Sequence, residues 1–210
     1  IYYNYAYTYY HMQRFILASY YFSNFTTTFP TSQYREEMEF MSAYSNYQLS
    51  PSFRLDQTYT NEAIQEFQAF INKYPDSERV EEANKLIDRM RAKLELKAFK
   101  TGELYFNLRQ YQAAIQSLEN LLKDFPDTKS PQEIRYLIVR SAYLLAENSI
   151  ITKQRERYED ALEYAELFLR KYPQSDYYNE INIISKTVSE KLKNIEGDER
   201  YQDQSTGIGS

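Results

Sequence analysis

Apolar residues recur along this chain at the period of an α-helix, and the periodic segments stop four times in one way. Each stop is an aromatic residue, a proline, any residue and a hydroxyl: Phe29-Pro30-Thr31-Ser32, Tyr74-Pro75-Asp76-Ser77, Phe125-Pro126-Asp127-Thr128 and Tyr172-Pro173-Gln174-Ser175. Twelve residues before each proline stands an alanine, at Ala18, Ala63, Ala114 and Ala161. Eight before stand Phe22, Phe67, Leu118 and Ala165; five before stand Phe25, Phe70, Leu121 and Phe168; four before stand Thr26, Ile71, Leu122 and Leu169. These offsets share one face of a 3.6-residue helix. The alanine admits a neighbouring helix closely, and the larger residues fill the groove beside it. The proline disfavours helical geometry at the aromatic before it and lacks the N–H that would continue the ladder.

The pattern predicts helix pairs throughout: 1–11 with 15–28, 33–49 with 59–73, 78–107 with 111–124, and 131–152 with 156–171. A closing helix over 176–195 and a polar tail over 197–210 follow. Residues 78–107 carry no breaker except Gly102, so one long helix or two nearly collinear ones are expected. Ser130-Pro131-Gln132-Glu133 reads as a helix start, with a cap, a proline at the first position and a glutamate at the third. The tail has no core of its own and is expected to order only on a partner.

These offsets resemble the second helix of a tetratricopeptide (TPR) repeat, which predicts an all-α, right-handed solenoid of helical hairpins, with repeats at about 1–30, 33–75, 78–126 and 131–173. In such a repeat the first helix carries a small residue 24 before the proline and an aromatic 21 before. Ala6 and Tyr9 fit in the first copy, and Gly102 and Tyr105 in the third. In copies two and four the small residues, Ala43 and Ala142, come too early. Insertions are therefore expected between the paired helices, over Gln48 to Gln57 and roughly Asn148 to Arg155.

Composition narrows the function. Only 4 glycines and 6 prolines disfavour an all-β fold, and a hydrophobic fraction of 42% suffices for a core. A net charge of -5 without a basic stripe argues against a nucleic-acid partner. The absence of cysteine excludes disulfides, thiolate metal sites and cysteine nucleophiles. No apolar run is long enough to span a bilayer. The chain opens inside a helical pattern at Ile1, so a natural start upstream is expected, with any targeting signal or lipid-bearing cysteine on it.

The spacing of the insertions is similar to the BamD family of outer-membrane lipoproteins. The residues that carry the likeness are Arg54-Leu55-Asp56-Gln57, then Ala63 to Ser77, Leu94-Glu95-Leu96, Glu103 to Phe106, Tyr111, and Leu121 to Thr128. The resemblance covers roughly residues 1–145, and the rest follows at the level of a TPR array. The family's lipid-bearing cysteine and first repeat unit are missing from this sequence. The 23 tyrosines point to lineage, with the Bacteroidota expected, rather than to function. The resemblance implies a scaffold on the periplasmic face of the outer membrane, anchored by lipid. Such a scaffold docks on the POTRA domains of BamA alongside other assembly subunits and helps receive unfolded outer-membrane proteins. Two alternatives stay open: another periplasmic TPR adaptor for envelope or division complexes, and a regulatory TPR domain of a larger enzyme.

No catalytic, cofactor or metal site is assigned. His11 is the sole histidine and has no companion ligand or nucleophile. The carboxylates are dispersed at helical spacing, which reads as solvated faces, and Glu36-Glu37 and Glu81-Glu82 fall where helices begin. No glycine-rich phosphate loop is present. The aromatic surplus is more informative, since the first helix of each TPR pair lines the concave groove. The groove is expected to present Tyr3, Tyr7, Tyr10 and His11, then Phe40, Tyr44 and Tyr47, then Phe99, Glu103, Phe106 and Asn107, and finally Tyr136, Val139, Tyr143 and Glu147. Tyrosine suits such a surface, with a large contact area, few rotors and a polar tip. The resemblance further implies a BamA-facing surface at Arg109, Gln110 and Gln112 and on the exposed face of 131–147, including Tyr136, Arg140 and Tyr143.

Overall fold

The four aromatic–proline stops fold alike. In the computed structural model, which describes residues 1–206 and their side chains as far as Glu196, Phe29, Tyr74, Phe125 and Tyr172 end their helices at φ between -125 and -130° and ψ between 61 and 69°. Each donates its N–H to the carbonyl four residues back, at 2.8 to 2.9 Å. Its own carbonyl then accepts the N–H of the hydroxyl residue at 3.1 to 3.2 Å, which closes a β-turn around the proline. The hydroxyls of Ser32, Ser77, Thr128 and Ser175 in turn accept the N–H two residues on, at 3.2 to 3.3 Å. One tetrapeptide thus ends a helix, reverses the chain and satisfies a donor at the approach to the next.

Among the described residues all regular structure is helical: α1 (Tyr2–His11), α2 (Phe15–Thr28), α3 (Arg35–Leu49), α4 (Thr58–Lys73), α5 (Val80–Asn107), α6 (Tyr111–Asp124), α7 (Pro131–Glu147), α8 (Ile151–Lys171) and α9 (Tyr178–Thr206). The expected 78–107 segment thus forms one uninterrupted helix from Val80 to Asn107, with residues 78 and 79 in the preceding turn. The molecule divides into two units, Ile1–Lys97 and the chain from Ala98 onward, with α5 contributing to each.

In the first unit α1 packs on α2, α2 on α3 and α3 on α4. The repeat positions carry the packing. Ala18 and Ala63 are fully buried, as are Phe22 and Phe67, while Phe25 and Phe70 are at most 5% exposed. Met38, Phe40, Ala83 and Met90 complete this core. The insertion of the second hairpin is an ordered loop between Leu49 and Thr58. Gln57 is buried there, and its amide donates to the Ser52 and Leu55 carbonyls at 2.9 and 3.0 Å. From α5, Lys93 donates to the Ser50 hydroxyl at 2.6 Å and Lys97 to the Leu55 carbonyl at 2.6 Å.

In the second unit α6, α7, α8 and α9 pack in sequence, and α7 also touches α9. Ala114, Ala161, Leu118 and Ala165 are fully buried. Gly102 lies so close to α6 that a Cβ there would meet Leu118 Cδ2 at 2.5 Å and Cγ at 2.7 Å. The small residue of the third copy is therefore a requirement of the packing.

Three expectations need correction. Ser130 and Pro131 do take the cap and first helical positions, but the Ser130 side chain makes no cap hydrogen bond. The Thr128 hydroxyl, which accepts the Ser130 N–H, serves that approach instead. The extra residues of the fourth hairpin form no 148–155 loop: α7 ends at Glu147 and α8 starts at Ile151, so most of them lengthen α8. Finally, α9 runs past 195 to Thr206. Glycine inside a helix costs only about 1 kcal/mol, and the helix continues through Gly197. Residues 207–210 of the expected tail lie outside the described residues.

Candidate protein-binding faces

In the first unit, α1 and α3 carry a continuous aromatic series. The Tyr3 and Tyr7 rings lie 4.9 Å apart, and Tyr7 meets the buried Phe22 edge-on at 5.1 Å. Tyr10 reaches Tyr44 at 6.3 Å, and Tyr44 reaches Tyr47 at 5.7 Å. All five tyrosines are half-buried, with one side of each ring on the core and the other open. His11 is exposed, its ring 6.0 Å from Tyr7 and 5.9 Å from Tyr10.

A carboxylate organises the start of this series. Glu37, in the first turn of α3, accepts hydrogen bonds on Oε1 from Tyr3 at 3.1 Å and from Tyr7. Burial first, and then this carboxylate, push both phenol pKa values upward. Burial and the neighbouring Tyr44 raise Tyr10 too. The face is thus uncharged at its tyrosines, with polar tips on apolar rings. It can bury apolar or aromatic side chains while hydrogen-bonding an extended backbone.

Phe40 does not belong to this face. At 1% exposure it is core, edge-on to Phe67 and Phe70 at 5.4 Å each. Its contribution is support, since Tyr44 stacks on it at 6.0 Å and 18°. Val139, the corresponding expectation on α7, is likewise buried at 1%.

In the second unit, two groups of expected residues meet on one face. The Arg140 guanidinium lies 5.2 Å from the centroid of Phe106 and 5.5 Å from that of Tyr136. Tyr136 stacks on Tyr177 at 4.2 Å and 17° and donates to Glu180 at 2.8 Å. Arg140 also pairs with Glu180 at 3.5 Å. Phe99 is half-buried beside the Leu118–Ile134 cluster, with the Lys100 ammonium 5.6 Å from its centroid. Glu103 is half-buried and pairs with Lys100 at 2.7 Å, whereas Asn107 is exposed.

Tyr143 is half-buried beside Glu147, which pairs with Lys191 and accepts the Tyr158 hydroxyl at 2.7 Å. Burial alone would raise the Glu147 pKa, but the bonds from Lys191 and Tyr158 outweigh it and hold the carboxyl below its usual range. Arg109, Gln110 and Gln112 lie at the α5–α6 turn, all exposed, with Arg109 at φ 59°. Sequence reasoning missed the apolar side chains around that turn and the α7–α8 turn: Leu104, Leu108, Ile150 and Ile151 are 54 to 86% exposed.

Consecutive hairpins with small residues at the crossings and aromatic side chains on the first helices make this a TPR-like helical-repeat protein. A comparison with protein families agrees: the model described as YfiO, outer membrane lipoprotein, matches residues 2–154. The chain belongs to that family, the BamD-like outer-membrane lipoproteins. Among curated proteins, no relative matches the chain. Among the described residues no helix is long and apolar enough to cross a membrane, and no group of three or more histidine, aspartate or glutamate residues could hold a metal ion.

Proposed function

We propose that this protein is a non-enzymatic scaffold subunit of the outer-membrane β-barrel assembly complex. It sits on the periplasmic face of the outer membrane through a lipid anchor, docks on the POTRA domains of a BamA-like barrel protein and helps receive unfolded outer-membrane proteins. The observation that carries this reading is membership of the outer-membrane lipoprotein family across residues 2–154.

The aromatic face of the first unit supports the receiving role. Tyr3, Tyr7, Tyr10, His11, Tyr44 and Tyr47 offer rings with polar tips to an extended segment, and barrel strands alternate apolar and polar side chains with aromatics at their ends. We assign the partner surface to the second unit, at Arg109, Gln110 and Gln112 and around Tyr136, Arg140 and Tyr143, with Phe99 and Phe106 beside it. The test is a calorimetric titration of the intact chain with the purified POTRA segment of the barrel protein from the same organism. Saturable binding weakened at least tenfold by Arg140→Glu supports the reading. Absence of binding, or binding indifferent to Arg109→Glu and Arg140→Glu together, rejects the docking assignment.

A further inference from the structure

A second surface in the first unit draws on α2 and α4 rather than on the tyrosines of α1 and α3. Between these helices, over α3, lies an open groove of about 420 Å³. Ile16 and Tyr20 line it from α2, and they are 57% and 60% exposed. Tyr59, Glu62 and Glu66 line it from α4, and Asn46 comes up from α3. No lysine or arginine is among its lining residues. Glu66 is largely buried: Asn46 donates to its Oε1 at 3.0 Å, and Oε2 is buried with no hydrogen-bond partner. Glu62 is one helical turn away on the same face. Two carboxylates thus share a groove whose lining holds no cation, and one has a buried oxygen that only the neighbouring Ser42 hydroxyl approaches. Such a group is costly to keep unless something compensates it.

The second unit supplies an internal control. Its equivalent groove, about 320 Å³ between α6 and α8, has cationic side chains in its lining. Nine residues before the proline, where Glu66 stands in copy two, copy four has Tyr164, which donates to Glu119. Thirteen before, where Glu62 stands, it has Asp160, with Lys153 and Arg157 lining the same groove. A lining without a cation therefore distinguishes the α2–α4 groove from its counterpart in the second unit.

We propose that the α2–α4 groove binds a basic side chain, arginine in preference to lysine, presented by an extended segment of a partner protein. The acidic floor takes the cation, the exposed Tyr20 ring offers its face to a guanidinium, and Ile16 covers an apolar neighbour of the basic residue. This site stands independently of POTRA docking and of the aromatic face.

The probe is a capped pentapeptide with one arginine flanked by leucines, and its counterpart with citrulline, which keeps the shape and lacks the charge. Binding to the intact chain is followed by NMR at the Asn46 side-chain amide. The arginine peptide is expected to shift that signal saturably and to bind at least tenfold more tightly than the citrulline peptide. Glu66→Gln should weaken binding at least tenfold with helical circular dichroism retained. Tyr20→Ala, at the exposed rim, should weaken it severalfold. Equal binding of the two peptides overturns the proposal. So does undiminished binding to Glu66→Gln, the absence of any saturable shift, or occupation of the groove by calcium ions alone.

Discussion

Tyr7 donates its hydroxyl to Oε1 of Glu37, and this bond ties α1 to the first turn of α3. Tyr3 donates to the same oxygen, so one carboxylate anchors two rings of the aromatic face. Glu37→Ala leaves two half-buried hydroxyls without their acceptor and should cost about 1–3 kcal/mol in urea-denaturation stability. Tyr7→Phe keeps the ring and leaves Tyr3 on the carboxylate, so about 0.5–1.5 kcal/mol is expected. The two changes share a partner, and their combined effect should fall short of the sum.

Alkaline pH should act through the same chemistry. Burial first, and then hydrogen bonding to Glu147, push Tyr158 from the ordinary phenol value of 10.0 up to about 12. Tyr7 and Tyr164 are raised by burial and by Glu37 and Glu119. The folded state therefore holds these protons above pH 10, where the unfolded chain releases them. Their stabilisation is complete below pH 10 and declines as pH rises through 10 toward the folded values. Melting temperature against pH should turn downward near 10, and Tyr158→Phe should make the fall between 10 and about 12 shallower. A decline that begins well below pH 10 would point to other groups.

Gly102→Ala tests the helix crossing of the third copy. In an exposed helix the change would stabilise by about 1 kcal/mol. Here the new methyl would lie 2.7 Å from Leu118 Cγ, a branch point rather than a flexible tip. Overpacking of this kind costs about 1–3 kcal/mol, so a net destabilisation is expected in thermal or urea melts.

Glu66→Gln should raise stability. Burial lifts the Glu66 carboxyl above its usual range, although hydrogen bonds from Asn46 and Ser42 pull it back. With the folded value raised, the penalty is absent at acid pH and grows as pH climbs past the unfolded value. The variant should therefore melt above the wild type at neutral pH, with the difference closing on acidification. An unchanged or lowered melting point at neutral pH would mean that the carboxylate is compensated.

Much of the fold was legible because each proline stop fixed a register. The residues twelve, eight and five before it are buried in every copy, those four before it are half-buried, and the stops themselves share one turn geometry. The faces of the first helices were harder to read. Helix α1 packs mainly on α2, meets α3 only through side chains such as Tyr7 and Tyr10, and buries only Ala6, so Tyr3, Tyr7 and Tyr10 remain half-open. Helices α3 and α7 each have a neighbour on both sides and bury a much wider stripe, which takes in Phe40 and Val139. A pattern that shows one apolar face does not show how many helices cover it. The acidic groove escaped notice because Glu62 and Glu66 read as one more solvated face. The available signal lay on α3, where Ser42, Ser45 and Asn46 form a polar notch within a buried stripe.

Alanine at both Tyr7 and Tyr44 would remove packing as well as binding, since one ring rests on Phe22 and the other on Phe40. A melting temperature lowered by several degrees is expected for that pair. His11 and Tyr47 are the sharper probes of capture. His11→Ala with Tyr47→Ala should weaken binding of a barrel-strand peptide with less loss of stability than the Tyr7 and Tyr44 pair.

The scaffold role itself is tested most directly by affinity purification of the lipid-anchored protein from outer membranes in mild detergent, with mass spectrometry of what comes with it. Stoichiometric recovery of a POTRA-bearing barrel protein is the predicted result. Clean recovery of the protein without any such barrel would contradict it.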